Sequence, residues 1–503
     1  MKTSLYWIGV RESDIAHTNN MYTGSVTLFG SNRGKNIAFS LRCKVRTNHN
    51  LYNKKHFEFY ESEILKIINK DKNALFMFYN PYLAYLLDNR IQEKTICLND
   101  RTLLNLLRDK AYSRLWLSSV VPIIQNIQLF GKEISFNNLK KYFPKIDTFV
   151  IQASFSSGGF GTWKLQERNE REIVINMNDY SLYSVSPYFH NNIPTNIHCI
   201  IYENDILLLA PSIQIVEEEK HQLTYRGADY IAYNEIQVYL QNEIKEHAKK
   251  ICKKLQKLGY RGVCGIDFII FDGKVFFMEV NERFQASTFL LNYTLNESQH
   301  PSINELCLEA FKYAETSNKA CSNSVPYSFY AYSQSDNQFF AINILEKHKN
   351  EPFVRKTFLD GYDINESCED NAYLFRTIFS RNICSINPMQ GLNFNENILE
   401  NRFKDFSFVS TTKRIELKIA LLNQGINLTE QAKNYLQGKG KVREANFSSL
   451  DLSISNALIV NCPYKLNFSE LSPFSVDYQN SKLILLHYRR KISEVDLEIE
   501  SLI

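Results

Sequence analysis

The segment GVCGIDFIIFDGKVFFMEVNERF, Gly262 to Phe284, places two carboxylates and a carboxamide, Asp267, Glu279 and Asn281, on what reads as one short β-hairpin. Such a set suits magnesium, which takes oxygen ligands and usually only one or two carboxylates beside a substrate's phosphates. Strand alternation puts Val275, Phe277, Glu279 and Asn281 on one face, and Phe276, Met278 and Val280 on the other, which reads as the buried one. A two-residue turn at Asp272-Gly273 would then set Asp267 opposite Met278 and throw the acids onto opposite faces. A three-residue loop of Phe271, Asp272 and Gly273, with Gly273 left-handed, instead pairs Asp267 with Phe277. Asp267 is then diagonal to Glu279 on the same face, about 7 Å away. The metal reading therefore predicts an odd-length turn; the plain alternative is a hairpin whose acids face solvent.

A second signal lies upstream. FVIQASFSSGGFGTWKL, Phe149 to Leu165, reads as a strand, a small polar loop containing Ser156, Ser157, Gly158, Gly159 and Gly161, and a second strand carrying Lys164. Glycines there let backbone N–H groups approach phosphates, and the loop could close over them as a lid. It lacks the Gly-Lys-Ser/Thr of a P-loop, and its spacing is not that of a dinucleotide fingerprint. Taken alone, it is as well explained by an ordinary glycine-rich hairpin tip.

The two signals in this order, a glycine-rich hairpin and later an Asp strand followed by Met-Glu-Val-Asn-x-Arg, resemble the ATP-grasp superfamily of carboxylate ligases. The resemblance runs from about Asn99 to Thr288 and is most specific in GIDFIIFDGKVFFMEVNERFQAST. It implies ATP and Mg2+ as cofactors, with Asp267, Glu279 and Asn281 as metal ligands and Arg283 near the γ-phosphate or an acyl phosphate. The glycine loop would cover the triphosphate. LNDRTLLNLLRDKAYSRLW, Leu98 to Trp116, looks like the family's entry helix, from which Lys110 would reach the phosphates; the alternative is a solvated helix lysine. One departure stands out. The strand before the glycine loop commonly supplies a lysine to the α-phosphate, and here that position is Gln152, which can donate a hydrogen bond but brings no charge. Either Lys110 and Lys164 carry the neutralisation or nucleotide binding is weakened. The resemblance also places adenine against a connector in Tyr183 to Val216, where Ser184, Val185 and Ser186 would offer backbone groups. Asn196 would lie near ribose, and Arg226 would be a further phosphate candidate. Each of these also reads as an ordinary strand or loop polar residue.

Composition fits a folded enzyme without identifying one. At 503 residues the chain exceeds the size at which single cores stop growing. With 44% hydrophobic and 22% charged residues it is not dominated by disorder. The net charge of +4 is spread along the chain, so the balance implies no nucleic-acid partner. The densest basic run, Glu243 to Gly259, has Ile244, Ala248, Ile251, Leu255 and Leu258 at helical spacing. It reads as a helix with a solvated lysine face, a Glu246–Lys250 pair and Gly259 as C-cap. Ten scattered cysteines, with no CxxC or Cys/His ligand spacing and no signal-like N-terminus, predict a reduced, cytoplasmic protein. Cys264 reads as a small buried hydrophobe. Apolar clusters such as DILLLAP are too short for a membrane helix.

The sequence divides into three blocks, giving an α/β (α+β) fold class. The first, 1–98, reads as a small α/β domain with strand-like runs SVTLFGS and ALFMFYNPYLAYLL, preceding the ATP-grasp core. Its loop Gly9 to Asp14 carries Arg11, a candidate to bind a carboxylate if not an ordinary surface charge. The second, 99–301, is the expected ATP-grasp core of two α+β subdomains, followed by the linker-like TSNKACSNSVP. The third, 327–503, is an α+β block with strands such as SKLILLHYRR and a helix at RIELKIALLNQG, where Ile415, Ile419 and Leu422 recur at helical spacing. Asp360 to Asp363 reads as a turn, and Arg376 has no assigned role.

The function this supports is ATP-dependent activation of a carboxylate as an acyl phosphate, captured by an amine of an amino acid, peptide or metabolite. Phosphoryl transfer needs charge neutralisation and alignment rather than a protein nucleophile. The alternatives are a thiol acceptor or a nucleotide-binding module without turnover, the latter supported by Gln152. The expected partners are a small-molecule carboxylate and an amine, with no nucleic acid, no membrane and a possible homodimer.

Overall fold

The apolar runs of the first block form a parallel sheet. In the computed structural model, β1 (Ser4–Arg11), β2 (Gly24–Phe29), β3 (Ser40–Arg42) and β4 (Ala74–Phe78) lie in the order β3-β2-β1-β4, every pair parallel. Parallel neighbours need a crossover, and the Lys54–Lys70 helix lies between β3 and β4 in sequence. Its Tyr60, Ile64, Ile67 and Ile68 are buried in one cluster with Tyr6, Ile8, Val26 and Phe76 of the strands. The structure describes residues 4–18, 21–29, 40–42, 54–154, 161–219, 221–313, 324–333, 353–359, 373–387 and 391–394, together with four later strands at 417–423, 440–445, 457–462 and 483–488.

The middle of the chain builds one twelve-stranded sheet. Its strands are β5 (Ile127–Phe130), β6 (Phe149–Ala153), β7 (Thr162–Leu165), β8 (Leu182–Pro187), β9 (Ile193–Ile201), β10 (Ile206–Glu219), β11 (Gln222–Asp229), β12 (Gly262–Phe271) and β13 (Lys274–Asn281). They run in the order β13-β12-β9-β10-β11-β7-β6-β8-β5. The third block adds β14 (Ser328–Ser333), β15 (Val354–Leu359) and β16 (Tyr373–Phe379), with β14 pairing to β11 and β16 to both β14 and β15. A separate hairpin joins β17 (Cys384–Asn387) to β18 (Gly391–Phe394). The chain thus divides into two compact units, one comprising Met1–Ser335, Glu351–Asp363 and Glu369–Ile398, the other the remainder.

The basic run is the Val238–Lys257 helix, with Ile244, Ala248, Ile251 and Leu255 buried, Lys250 Nζ 2.8 Å from Glu246, and Gly259 at φ 87° just beyond its end. Leu258, expected in the apolar stripe, is instead exposed, because it lies past the last helical turn. The Leu98 to Trp116 helix is two helices, Arg101–Arg108 and Lys110–Leu117. Asp109 breaks between them at ψ 97° and caps the second by accepting from the Tyr112 N–H. The break puts Lys110 in the first turn of a new helix. Among the described residues the free cysteines are all buried. Cys199, Cys252 and Cys264 converge, all buried, with their sulfurs within 4.8 Å of one another, a spacing that could hold a metal ion. No helix among the described residues is long and apolar enough to cross a membrane.

In the second unit, β19 (Leu417–Asn423), β20 (Gly440–Ala445), β21 (Ala457–Cys462) and β22 (Leu483–Tyr488) form a parallel sheet in the order β20-β19-β21-β22. Over its described residues, Leu417–Asn423, the segment RIELKIALLNQG does not form the expected helix. Leu417–Asn423 is a strand with a parallel neighbour on each side, and a short continuous apolar run such as Ile419 to Leu422 suits a two-sided parallel strand. The turn read at Asp360 to Asp363 lies outside the described residues.

Candidate active site

The hairpin that carries the acids reaches the right face by a device different from the one the sequence suggests. Phe271 pairs with Lys274, so the turn is the two-residue Asp272-Gly273, with φ of 50° and 66° at its two positions. An odd-length turn is therefore wrong. Parity is restored further along by a bulge, because Asp267 pairs with Glu279 while Phe268 pairs with Phe277, leaving Met278 as the extra residue on β13. Asp267 therefore stands directly opposite Glu279, not diagonal to it. The bulge also overturns the strict alternation expected on β13: Val275 and Phe277 are fully buried with Phe268, while Met278, Glu279 and Asn281 line a cavity. Two contacts hold the bulged edge. Arg114 Nε donates to the Met278 carbonyl at 2.6 Å, and the Phe277 N–H donates to the Pro122 carbonyl at 2.8 Å.

Around these acids the cavity, of about 670 Å³, gathers Lys110, Arg114, Gln152, Asn196, Arg283 and Gln285. That size is within the ~300–1,000 Å³ of small-molecule sites. Lys110 is buried, with Nζ 2.8 Å from Glu279 Oε2. Asn281 Nδ2 donates to Asp267 at 3.0 Å and lies 3.4 Å from Glu279, and its Oδ1 accepts from Arg283 at 3.1 Å. Arg283 also donates to the Phe284 carbonyl and lies over the Tyr79 ring. Burial, reinforced by the facing Glu279 carboxylate, pushes Asp267 up to about 7 against bonds from Asn196, Gln214 and Asn281. Burial also disfavours the charged form of Glu279, but Lys110, Arg114 and Arg283 together hold it below the usual carboxylate range.

A buried and a half-buried carboxylate face to face, with a carboxamide oxygen beside them, form a donor set that fits a hard divalent cation. The electrostatics agree, since one acid of the pair is driven toward its neutral form without such a charge. For Asn281 to offer oxygen, its carboxamide has to turn over, exchanging O for N at the acids.

Other candidates fall differently. Gln152 lines the cavity as expected, with Nε2 3.5 Å from Glu279, but the charge beside it is neither of the expected lysines. It is Arg114, whose Nη2 donates to Gln152 Oε1 at 2.5 Å. Lys164 is instead paired with Glu218 at 2.8 Å, lies over the Tyr188 ring and is not on the cavity wall. Asn196 lines the cavity as expected, and its Nδ2 donates to Asp267 Oδ1, so it also orients an acid. Its neighbours explain this: β9 lies beside β12, and Asn196 is the register partner of Asp267. Arg226 is buried beside Glu217 and does not line the cavity. Ser184 and Val185 are interior to β8, laddered to β5 on one side and β6 on the other, so the connector begins later than expected. Ser186 lines the cavity, followed by Pro187, Tyr188, Phe189, His190 and Asn192. Ser156, Ser157, Gly158 and Gly159 lie outside the described residues; Gly161, at φ 70°, immediately precedes the return strand β7.

Arg11 of the first block does reach the same cavity, buried next to Val10 and Tyr79. Arg114 was missed although Lys110 signals it, because residues four apart on a helix share a face. Arg376, to which the sequence assigns no role, is buried. Its Nη2 donates to Ser13 Oγ at 2.6 Å and Asp14 Oδ1 at 2.8 Å, its Nη1 donates to the Ala286 carbonyl at 3.1 Å, and it lies 3.8 Å over the Phe289 ring.

The sheet pairing and the acid, amide and cation set define an ATP-grasp domain, the fold of ATP- and magnesium-dependent ligases. Residues 111–287 match the ATP-grasp domain family model. None of the curated proteins matches it as a sequence. Among solved structures it is similar to an L-amino acid ligase from Bacillus licheniformis, with TM-score 0.54, 13% identity, and coverage of 81% of this chain and 97% of that one. It is also similar to a carboxyaminoimidazole ribonucleotide synthase from Aspergillus clavatus complexed with ATP, with TM-score 0.53, 10% identity, and coverage of 75% and 94%. A third is biotin carboxylase from Campylobacter jejuni, with TM-score 0.52, 11% identity, and coverage of 75% and 87%. At such identities the likeness is one of fold.

Proposed function

We propose that this protein is an ATP-dependent carboxylate–amine ligase. The observation that carries the reading is one continuous cavity with two chemically distinct parts. Lys110, Asp267, Glu279 and Asn281 are suited to nucleotide phosphates and metal, while Arg11, Tyr79 and the Arg283 to Ser287 loop are suited to an organic acid.

In this reading a carboxylate oxygen of the acid attacks the γ-phosphorus, the bond to the β,γ-bridging oxygen breaks, and ADP leaves with that electron pair. An amine then attacks the acyl carbon, inorganic phosphate leaves, and the amine gives up a proton. Asp267, Glu279 and the turned Asn281 carboxamide would hold magnesium, which would supply charge neutralisation along the phosphates. The chain's own part is positioning. Lys110 sets the Glu279 carboxylate and offers charge to the phosphates, Asn196 fixes Asp267, and Arg283 stands where the acyl phosphate forms. Arg11 holds the acid. No protein nucleophile is needed.

The test is ADP release against a panel of carboxylic acids, with hydroxylamine added to trap an acyl phosphate as its hydroxamate. ADP and hydroxamate that depend on a particular acid support the reading. Tight magnesium–ATP binding without turnover for any acid, amine or thiol would refute it, and turnover with thiols alone would reassign the acceptor.

A further inference from the structure

The cavity wall contains a cation that the acids do not account for. Arg114 is one helical turn beyond Lys110 and is 4% exposed. Its guanidinium touches three neutral acceptors: the Met278 carbonyl through Nε at 2.6 Å, Ser184 Oγ through Nη1 at 3.2 Å, and Gln152 Oε1 through Nη2 at 2.5 Å. The nearby anion, Glu279, is already bonded to Lys110 at 2.8 Å. A buried charge without a bonded counter-charge is costly, and burial indeed lowers the Arg114 pKa. Three bonds use three of the five N–H donors a guanidinium carries, which leaves one on each terminal nitrogen of a side chain that lines the cavity. Gln152, on the neighbouring strand, holds the fork in place and presents its own Nε2 to the same space.

Resting on the ATP-grasp reading of this cavity, we propose that Arg114 and Gln152 together form a phosphate-contacting pair, in which a helix arginine supplies the positive charge and a strand glutamine orients it and adds a neutral donor. The charge thus enters from the helix and not from the strand. The side chain at 152 must then be neutral, because a lysine there would lie against a buried guanidinium. The effects of substitutions at the two positions consequently depend on each other in sign.

The experiment is titration calorimetry of the full-length protein with MgADP and, separately, with adenosine, for wild type, R114M, R114K, Q152K and the R114M/Q152K double variant. R114M is expected to weaken MgADP about 10- to 100-fold, the range for a charge-assisted hydrogen bond, and to leave adenosine affinity unchanged. Q152K alone weakens MgADP through like-charge contact, and adding Q152K to R114M restores affinity to within a few-fold of wild type. R114K, which keeps charge but loses the fork, falls between wild type and R114M and serves if the methionine variant does not fold. The proposal is overturned if R114M binds MgADP as wild type does, if adenosine and MgADP weaken alike, or if Q152K tightens MgADP in the wild-type background. A wild-type protein that binds neither ligand would overturn the nucleotide reading itself.

Discussion

Replacing Glu279 by glutamine separates the chemistry of the site from the stability of the fold. The substitution keeps the shape and removes one charge from a group that faces Asp267 and accepts from Lys110 at 2.8 Å. Two effects on stability oppose each other. Losing one partner of a buried ion pair commonly costs ~3–5 kcal/mol. Against this, Asp267, which sits near 7 partly because Glu279 is charged, becomes free to ionise and to take over part of the attraction to the surrounding cations. The folded state should therefore lose only a fraction of the pair's cost. Catalysis has no such compensation under the proposed mechanism, in which Glu279 is a carboxylate ligand to magnesium and the fixed partner of Lys110. Losing one contact of this kind costs roughly 3 kcal/mol of transition-state stabilisation, about a hundredfold in rate. The assay is acid-dependent ADP release across a magnesium titration, alongside thermal melts. Turnover near wild type at saturating magnesium would remove Glu279 from the site. A melting transition lost altogether would show that the ion pair is structural and that the compensation argued here is wrong.

Arg376 ties the Ser13-Asp14 turn to the Ala286 carbonyl, so R376M should remove a bonded counter-charge from the buried Asp14 carboxylate and lower stability by about 3–5 kcal/mol in chemical denaturation; a change under 1 kcal/mol would contradict the clamp. Asp229 accepts from the backbone N–H groups of Ile231, Ala232, Ile383 and Cys384, and D229N must aim an amide at some of those donors. It should cost about 1–3 kcal/mol, and a neutral melt would refute that. An added methyl at Gly265 would lie 2.1 Å from the Gln285 carboxamide, so G265A should push that side chain into the cavity and impair acid-dependent turnover more than MgADP affinity; the converse pattern would refute the assignment. His17 is held down to about 4, first by burial and then by Lys356. The folded state therefore requires the neutral ring, while the unfolded chain takes up its proton near the ordinary value of about 6.5. Stability should fall as pH drops from about 6.5 toward 4, with H17Q losing one proton's worth of that slope; an unchanged slope would show that His17 is not the group.

Much of this site was legible because its residue types are constrained by chemistry. Asp267, Glu279, Asn281 and Arg283 sit on a segment whose local pattern already signals a hairpin, and Lys110 sits on a helix with a polar start. What sequence could not show were long-range partners. Nothing near Asn196 indicates that β9 will lie beside β12, and it is that pairing which turns Asn196 toward Asp267. Arg376 and Asp14 are far apart in the chain and meet only because β16 joins the sheet through β14. The bulge at Met278 escaped for another reason: its stabilising contacts come from Arg114 and Pro122, on a distant helix and the loop after it. The helix misread at Leu417–Asn423 shows the limit of periodicity over a short apolar run, where three matches to one spacing fit a two-sided strand equally well.

The Met278 bulge has a consequence for how this stretch can change length. Whether the two acids meet depends on whether the count of residues between Asp267 and Glu279 suits the pairing, and to that count the tight turn contributes two residues and the bulge one. A single insertion or deletion anywhere in the interval reverses the outcome and turns one acid into the hydrophobic layer. A compensating pair leaves it unchanged: lengthening the turn by one residue while removing the bulge gives a hairpin of different shape whose acids still face each other. Relatives with a regular strand here should therefore carry a turn one residue longer, and length differences across this interval should come in matched pairs.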